Sequence, residues 1–335
     1  MSTSNIQIEN SLPVDQEKVS RNHFEAAAPL QTAVLFLVFN RPEPTAEVFE
    51  AIRKAKPPRL YIAADGPRKD HEGEAEKVAA VRELVSRVDW PCEVTTLFRD
   101  ENMGCRKAVS SAITWFFEHE EQGIILEDDC LPAQSFFLFC QEMLNRYRDD
   151  NRIWQISGTT FFSEDVTSGN ADYFFSRYGP IWGWASWRRA WKFYDVDLEL
   201  WPEMRKPEFM EMVYSNPFER AAKLSLGERL YRNSYDTWDF QWGFAKAFNN
   251  ALTVLPRRNQ IVNIGFGPDA THTTGTGHMG PKRMHELVGE ISHPLFVLTD
   301  RMYDDAYANN VYQRRNRWVH FVDRIKQLVR RGSPC

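Results

Sequence analysis

The chain lacks any apolar run approaching the length of a spanning helix, about 18 residues or more, so the sequence offers no transmembrane helix. Residues 1–22 are polar and lack the apolar centre of a secretory leader. Cysteine is scarce and unpatterned. Cys92, Cys105, Cys130, Cys140 and Cys335 form no CxxC pair, which excludes a zinc ribbon or a disulfide scaffold and points to a reducing compartment. Positive charge is not in excess: 41 Lys and Arg face 46 Asp and Glu, for a net charge of −5, so a general nucleic-acid binder is excluded. No GxGxxG follows the first expected strand and no GxxxxGK[ST] occurs, which removes nicotinamide-type Rossmann enzymes and P-loop NTPases. There is no internal repeat or low-complexity tract.

What remains is globular and aromatic. Of 335 residues, 43% are hydrophobic and 26% charged, as in one large domain or two medium ones. The 11 Trp, 11 Tyr and 23 Phe suit a large core or a site for a flat or ring-shaped ligand. Residues 1–30 carry no apolar periodicity and read as a polar tail. From there strands and helices alternate. Ala33–Phe39 is a continuous apolar run, expected to be a strand buried on both faces. Leu60–Ala64, Val94–Phe98, Gly123–Leu126 and Ile153–Ile156 read as further strands. Between them, apolar residues at helical spacing (Val48, Phe49, Ile52; Val78, Val81, Val85; Val109, Ile113, Phe116; Phe136, Cys140, Met143) mark crossover helices. The fold class expected is therefore α/β, a mainly parallel twisted sheet flanked by helices. The alternation stops near 158, and the sheet is expected to end at about 157.

One cluster carries the chemistry. Glu127-Asp128-Asp129 directly follows an apolar strand, at the carboxyl edge where ligands bind in parallel α/β sheets. Three adjacent carboxylates repel one another, and a hard cation such as Mg²⁺ or Mn²⁺ would relieve that repulsion. The alternative is an acidic cap for the helix expected from 134, with Asp129 complementing its dipole.

With these residues in place the chain resembles nucleotide-sugar glycosyltransferases of the GT-A fold. It is most similar to the N-acetylglucosaminyltransferase I type, which carries EDD where most relatives carry DxD, and to bacterial family 2-like enzymes. Residues 33–275 carry the resemblance as ordered landmarks: Phe39-Asn-Arg-Pro42, Asp65-Gly66, Asn102-Met-Gly104, Glu127-Asp128-Asp129, Gly183-Trp184 and Thr237-Trp-Asp239.

The resemblance implies a Rossmann-like nucleotide-sugar half at 31–157 and a Trp-rich acceptor half at 158–300. It also implies a set of roles. Arg41 would contact the donor diphosphate, where a planar guanidinium suits phosphate geometry. Asp65 would accept a hydrogen bond from the nucleobase, and Asp128 would face the ribose. Glu127 would sit by the donor sugar, and Asp129 would hold the metal, Mn²⁺ or Mg²⁺. Arg106 and Trp184 complete the donor-contacting set. Asp239 would be the general base of an inverting transfer, with Trp238 and Trp242 nearby to desolvate it. Asp236, three residues earlier, is expected on the same helical face. His272, in Asp269-Ala-Thr-His272, would ligate the metal or touch a phosphate, on a Gly- and Thr-rich loop at 265–280 that closes on the donor. For each residue an ordinary structural role stands beside the functional one.

Trp182, Trp184, Trp187, Trp191 and Trp201 could stack on sugars, but Trp184, Trp187 and Trp191 have the spacing of a buried helical face. Most are expected in the core, with Trp182 and Trp184 facing the site. Residues 301–335 are expected to be a basic C-terminal helix. Within it, 314–331 alternates Arg and Lys with Trp318, Phe321, Ile325 and Leu328, either packing as a terminal helix or lying on an anionic membrane.

The combined expectation is a cytoplasmic enzyme, peripheral at the inner membrane face if 314–331 binds lipid. It would move a sugar from a nucleoside diphosphate, UDP first, to a glycan or lipid-linked acceptor, with retention left open. The rivals are a sugar-phosphate nucleotidyltransferase, which would want a basic Gly-rich loop after the first strand, and a non-catalytic glycan-binding protein, which leaves the acidic triplet unexplained.

Overall fold

A computed structural model describes residues 29–162, 164–265 and 283–313 of the chain. The first half alternates as the sequence suggests: β1 (Val34–Val38), α1 (Pro42–Ala55), β2 (Arg59–Ala64), α2 (Glu74–Val85), β3 (Glu93–Phe98), α3 (Gly104–His119) and β4 (Gln122–Glu127). A short β5 (Cys130–Pro132), α4 (Gln134–Arg146) and β6 (Ile153–Ser157) follow. The second half holds β7 (Tyr173–Ser176), β8 (Trp184–Trp187), α5 (Arg188–Trp191), α6 (Trp201–Met204), α7 (Pro207–Val213) and α8 (Pro217–Tyr231). It closes with α9 (Asp239–Phe248), β9 (Leu252–Pro256), β10 (Ile261–Asn263) and α10 (Arg301–Ala308).

The fold is mixed α/β, with one large central sheet flanked by helices. Eight strands run in the order β3-β2-β1-β4-β8-β6-β9-β7. Strands β3, β2, β1 and β4 are mutually parallel. Beyond them the pairing is mixed: β8 runs antiparallel to both β4 and β6, β6 and β9 are parallel, and β7 is antiparallel to β9. The sheet therefore does not end at 157. Three strands of the second half complete it, and β8 sits at its centre.

Alternation along β1 shows why the run is wholly apolar. Val34, Phe36 and Val38 face the layer containing α1, α2 and α4, while Leu35 and Leu37 face the layer containing α3 and α9. Leu30 is buried in the first layer, so the folded body begins before residue 31. At the other end α10, and the helical turn Asn309–Gln313 that follows it, belong to the described body. Asp300 caps α10 by accepting the Tyr303 N–H at 3.1 Å, and Tyr303 is fully buried against Phe174 and Leu255. The basic stretch 314–331 lies outside the described residues, as does all but the last two residues of the expected tail, 1–30.

A buried polar knot fixes α9 to the sheet. The Lys246 ammonium donates to Gln155 Oε1 on β6 at 2.6 Å and to Thr253 Oγ1 on β9 at 2.8 Å, and Trp242 Nε1 donates to the same Gln155 oxygen at 3.0 Å. Burial pushes the Lys246 ammonium down to about 7. This knot sets the position of the first turn of α9, where Asp239 lies.

Candidate active site at the carboxyl edge of the parallel strands

Because β1, β2 and β4 are parallel, the residues that follow them, Asn40-Arg41, Asp65 and Asp128-Asp129, emerge on one edge of the sheet. The start of α3, the start of α9 and the segment Asn263–Gly265 close the space above that edge. They enclose a cavity of about 420 Å³ whose wall includes Arg41, Asp65, Glu127, Asp128, Asp129 and Asp239. Six residues named from the sequence thus meet in one place although they span almost 200 positions.

Arg41 is held by two carboxylates. Its guanidinium pairs with Asp128 through both Nη2 and Nε, and Nη1 lies 3.0 Å from Asp129 Oδ2. Burial works against the Arg41 charge, but the two carboxylates outweigh it and raise its pKa. Burial also dominates at Asp128, pushing its carboxyl up to about 6 against the pull of Arg41. Glu127 rises well above the usual carboxylate range through burial and its neighbours Asp129 and Asp128, and its Oε1 is buried without a hydrogen-bond partner. Asp129 does not cap α4: β5 intervenes, and its backbone carbonyl instead accepts the Ile264 N–H at 2.8 Å.

That bond, with the β5–β10 pairing, lays Gly265 directly on the Arg41–Asp129 pair. A Cβ at Gly265 would collide with the Asp129 carboxylate and stand 2.7 Å from Arg41 Nη1. Gly265→Ala is therefore expected to push the pair apart. The overpacking should cost about 1–3 kcal/mol, seen calorimetrically as a melting temperature lower by several degrees. An unchanged melting temperature would show that the segment yields freely.

Asp65 anchors the opposite wall. Both its oxygens accept the Met103 N–H, at 3.1 and 3.0 Å, and burial raises its pKa against that bond. Asn102 adds Nδ2 to the Gly66 carbonyl at 2.8 Å, so the Asn102-Met-Gly104 landmark ties the β2 end to the start of α3. Gly104 is required there: its φ is +77°, and a Cβ would lie 2.9 Å from Asp236 Oδ2.

Asp239 opens α9. The Thr237 hydroxyl donates to its Oδ1, and burial raises its pKa while Thr237 and backbone N–H groups oppose the rise. Asp236 is not its partner on a helical face. It precedes α9 and accepts the N–H groups of Cys105 and Arg106, both at 2.9 Å, capping α3. The Cys105 thiol in the same wall is pushed up by burial, Glu127 and Asp236.

Two expected site residues stand elsewhere. Arg106 points away from the cavity, bonding Asn233 and lying 3.5 Å from Asp197. Its neighbours Cys105, Ala108, Val109 and Ala112 form the cavity-facing stripe of α3, and one residue of rotation takes Arg106 off it. Trp184 is fully buried on β8, packed against Trp238 at 5.8 Å and Trp242 at 5.9 Å. Trp184 and Trp187 belong to a strand, not a helix, and enter opposite layers. Trp182 does line the cavity, edge-on to Phe161 at 5.9 Å. His272 and residues 266–280 of the expected loop lie outside the described residues.

The structure adds residues that the sequence did not single out. Arg68 lines the cavity, its Nη2 2.5 Å from Glu74 Oε1, and the same carboxylate accepts Asn40 Nδ2 at 2.8 Å. The Arg68 guanidinium holds Glu74 down at about 2. Arg99 joins it on the wall beside Asp65, near Asn102 of the expected landmark. The only sequence signal was their place just beyond β2 and β3.

Among the described residues no three His, Cys, Asp or Glu side chains gather as a metal cage. A cation held by protein alone does not fit them. A Mg²⁺- or Mn²⁺-like ion that arrives with phosphates needs only one or two carboxylates, and Asp129 with the unpartnered Glu127 oxygen fits that demand.

No protein-family profile matches this chain, and no curated protein matches it in sequence. Among solved structures, a galactosyltransferase, LgtC, in complex with donor and acceptor sugar analogues, is similar at 12% identity and a TM-score of 0.33, over 64% of this chain and 70% of its own. HddC from Yersinia pseudotuberculosis is similar at 9% identity and a TM-score of 0.29, over 48% of this chain and 78% of its own. At these scores neither neighbour carries an inference about activity.

Proposed function

We propose that the protein is a glycosyltransferase of the GT-A type that takes a sugar from a nucleoside diphosphate, UDP in the first instance, and passes it with inversion to a glycan or lipid-linked acceptor. The observation that carries this reading is the convergence of Arg41, Asp65, Glu127-Asp128-Asp129 and Asp239 on one cavity at the carboxyl edge of parallel strands.

In this reading Asp65, with Arg68 and Arg99 beside it, receives the nucleobase end of the donor. Arg41 is spent on Asp128 and Asp129 in the free protein, so it turns its fork to the diphosphate on binding and frees Asp128 for the ribose. A divalent cation, Mn²⁺ or Mg²⁺, accompanying the donor would be held by Asp129 and supply Lewis-acid neutralisation of the leaving phosphates. Glu127 lies by the donor sugar. Asp239 removes the proton of the acceptor hydroxyl, and Trp182 offers a face to a sugar ring.

Thermal shift with UDP, GDP, CDP and nucleoside triphosphates, each with and without Mn²⁺, tests it. Saturating UDP at about 100 times its dissociation constant should stabilise the fold by about 3 kcal/mol, a rise of several degrees, and only with the cation present. A response confined to triphosphates would replace the reading with nucleotidyl transfer. No response to any nucleotide would leave glycan binding.

A further inference from the structure

Two stretches of the cavity wall come from the second half of the chain. One is the turn Thr237–Phe240 at the start of α9, which bears Asp239. The other is Ile181-Trp182, in the connection from β7 to β8. They lie far apart in sequence, yet one side chain reaches the supports of both. Gln155 on β6 is fully buried. Its Oε1 accepts from Lys246 Nζ at 2.6 Å and from Trp242 Nε1 at 3.0 Å, and its Nε2 donates to the Pro180 carbonyl at 2.7 Å. An ammonium and an indole N–H only donate, and a carbonyl only accepts. The partners therefore fix which end of the amide is oxygen and which is nitrogen.

On the helix side, Asp239, Trp242 and Lys246 are spaced i, i+3, i+7, within about 60° of one another around α9. Both bonds to Gln155 thus grip the face of the helix that ends in Asp239. The Tyr194 hydroxyl donates to the Trp238 carbonyl at 3.0 Å, so the turn with Asp239 lies between two anchors. On the wall side, the Pro180 carbonyl also accepts Ser157 Oγ at 2.9 Å, and the Trp182 carbonyl accepts Thr159 Oγ1 at 2.8 Å. Gly179 lets this segment pass close over the amide. A Cβ there would collide with Lys246 Nζ and Thr253 Oγ1 and stand 2.9 Å from Gln155 Oε1. Only an amide serves both sides. A leucine would leave a buried ammonium short of an acceptor and the Pro180 carbonyl short of a donor, whereas a glutamate would keep the acceptor and lose the donor.

We propose that Gln155 is a positioning residue whose single buried amide sets the Asp239 turn of α9 and the Ile181-Trp182 wall of the cavity as one unit. Its consequence for turnover rests on the glycosyl-transfer reading; the coupling of the two segments does not.

Hydrogen exchange and turnover of the full chain, compared among the parent, Gln155→Leu and Gln155→Glu, test it. Gln155→Leu should speed amide exchange about tenfold or more at both 178–183 and 238–243, while 37–41 and 63–66 keep the parent's rates. Gln155→Glu still offers an oxygen to Lys246 and Trp242 but no donor to Pro180, so only 178–183 should quicken. Turnover is read as UDP release, with Mn²⁺ and with water as acceptor, from UDP-glucose, UDP-galactose and UDP-N-acetylglucosamine. For a sugar that the parent hydrolyses, Gln155→Leu should lower kcat at least tenfold, since displacing a reacting group by about 1 Å can cost a hundredfold, with donor KM within about twofold. Gln155→Glu should restore kcat to within about threefold of the parent. Exchange in folded Gln155→Leu that matches the parent, or quickens at one segment alone, overturns the coupling. A kcat that Gln155→Glu does not restore, or a loss carried by KM, overturns the positioning role. If Gln155→Leu does not fold, Gln155→Glu decides: quickening confined to 178–183 supports the proposal, and the parent's rates throughout overturn it. A parent that binds no UDP and hydrolyses none of the three sugars overturns the glycosyl-transfer reading, and the exchange pattern then decides the coupling by itself.

Discussion

Replacing Asp239 with Asn is expected to leave UDP affinity within about twofold and to slow turnover by a hundredfold or more, the range lost when a positioned general base is removed. The substitution is nearly isosteric, and an Asn oxygen can still accept the Thr237 hydroxyl, so the first turn of α9 should keep its place. The Lys246 and Trp242 bonds to Gln155, which set that helix on the sheet, are untouched. What disappears is the ability to take a proton at a buried oxygen whose pKa burial has raised, which makes the carboxylate a stronger base than one in water. Release of nucleoside diphosphate reports turnover with an acceptor or with water, and calorimetric titration reports donor affinity. Turnover equal to the parent's would remove Asp239 from the chemistry. A parallel loss of donor affinity would make it a binding residue.

Arg41→Ala is expected to damage both stability and donor binding. Asp128 and Asp129 are 5% and 15% exposed at their side chains, and without the guanidinium both would be left as buried, uncompensated carboxylates. Removing one partner of such a pair costs about 3–5 kcal/mol, which in a chain of this size lowers the melting temperature by about 4–7 °C. Arg41→Lys restores the charge but not the fork, so stability should recover in part and diphosphate affinity much less. Asp128→Asn added to Arg41→Ala should regain stability by removing one stranded charge, yet not regain UDP binding. The non-additivity of that double-mutant cycle measures the pair. An Arg41→Ala variant as stable as its parent would mean that water or another group already satisfies the two carboxylates.

The parallel half of the sheet was readable because strands buried on both faces must be apolar throughout, as β1 is, and because crossover helices repeat every three or four residues. β7 and β8 were not. Each has four residues, too few to show a period, and the tryptophans of β8 run on into α5 with a spacing that imitates a helix. In the site, the acidic triplet, Arg41, Asp65 and Asp239 were readable because they end strands or begin a helix, places where a side chain must meet solvent or ligand. Arg106 failed for a reason the sequence already held. The apolar stripe of α3 runs through residues 105, 108, 109 and 112, and position 106 lies about 100° away from it. The parts played by Arg68 and by Gly265, the first residue of the expected 265–280 loop, were not readable. Their roles arise from approaches between Glu74 and Asn40, and between β5 and β10, that only the folded chain makes.

The central position of β8 governs how the chain can fold as it is synthesised. β4 and β6 both emerge before it, and neither can pair with the other. Until residues 184–187 arrive, each exposes an apolar edge competent to join another chain. The first half therefore cannot be completed first and held ready. A strand bearing two tryptophans bridges β4 and β6, and β9, still later at Leu252–Pro256, joins β6 to β7. A fragment ending at 157 would keep every carboxylate of the triplet, yet leave β4 open at one edge and β6 at both, and would aggregate, so the halves recognisable in sequence are inseparable in folding.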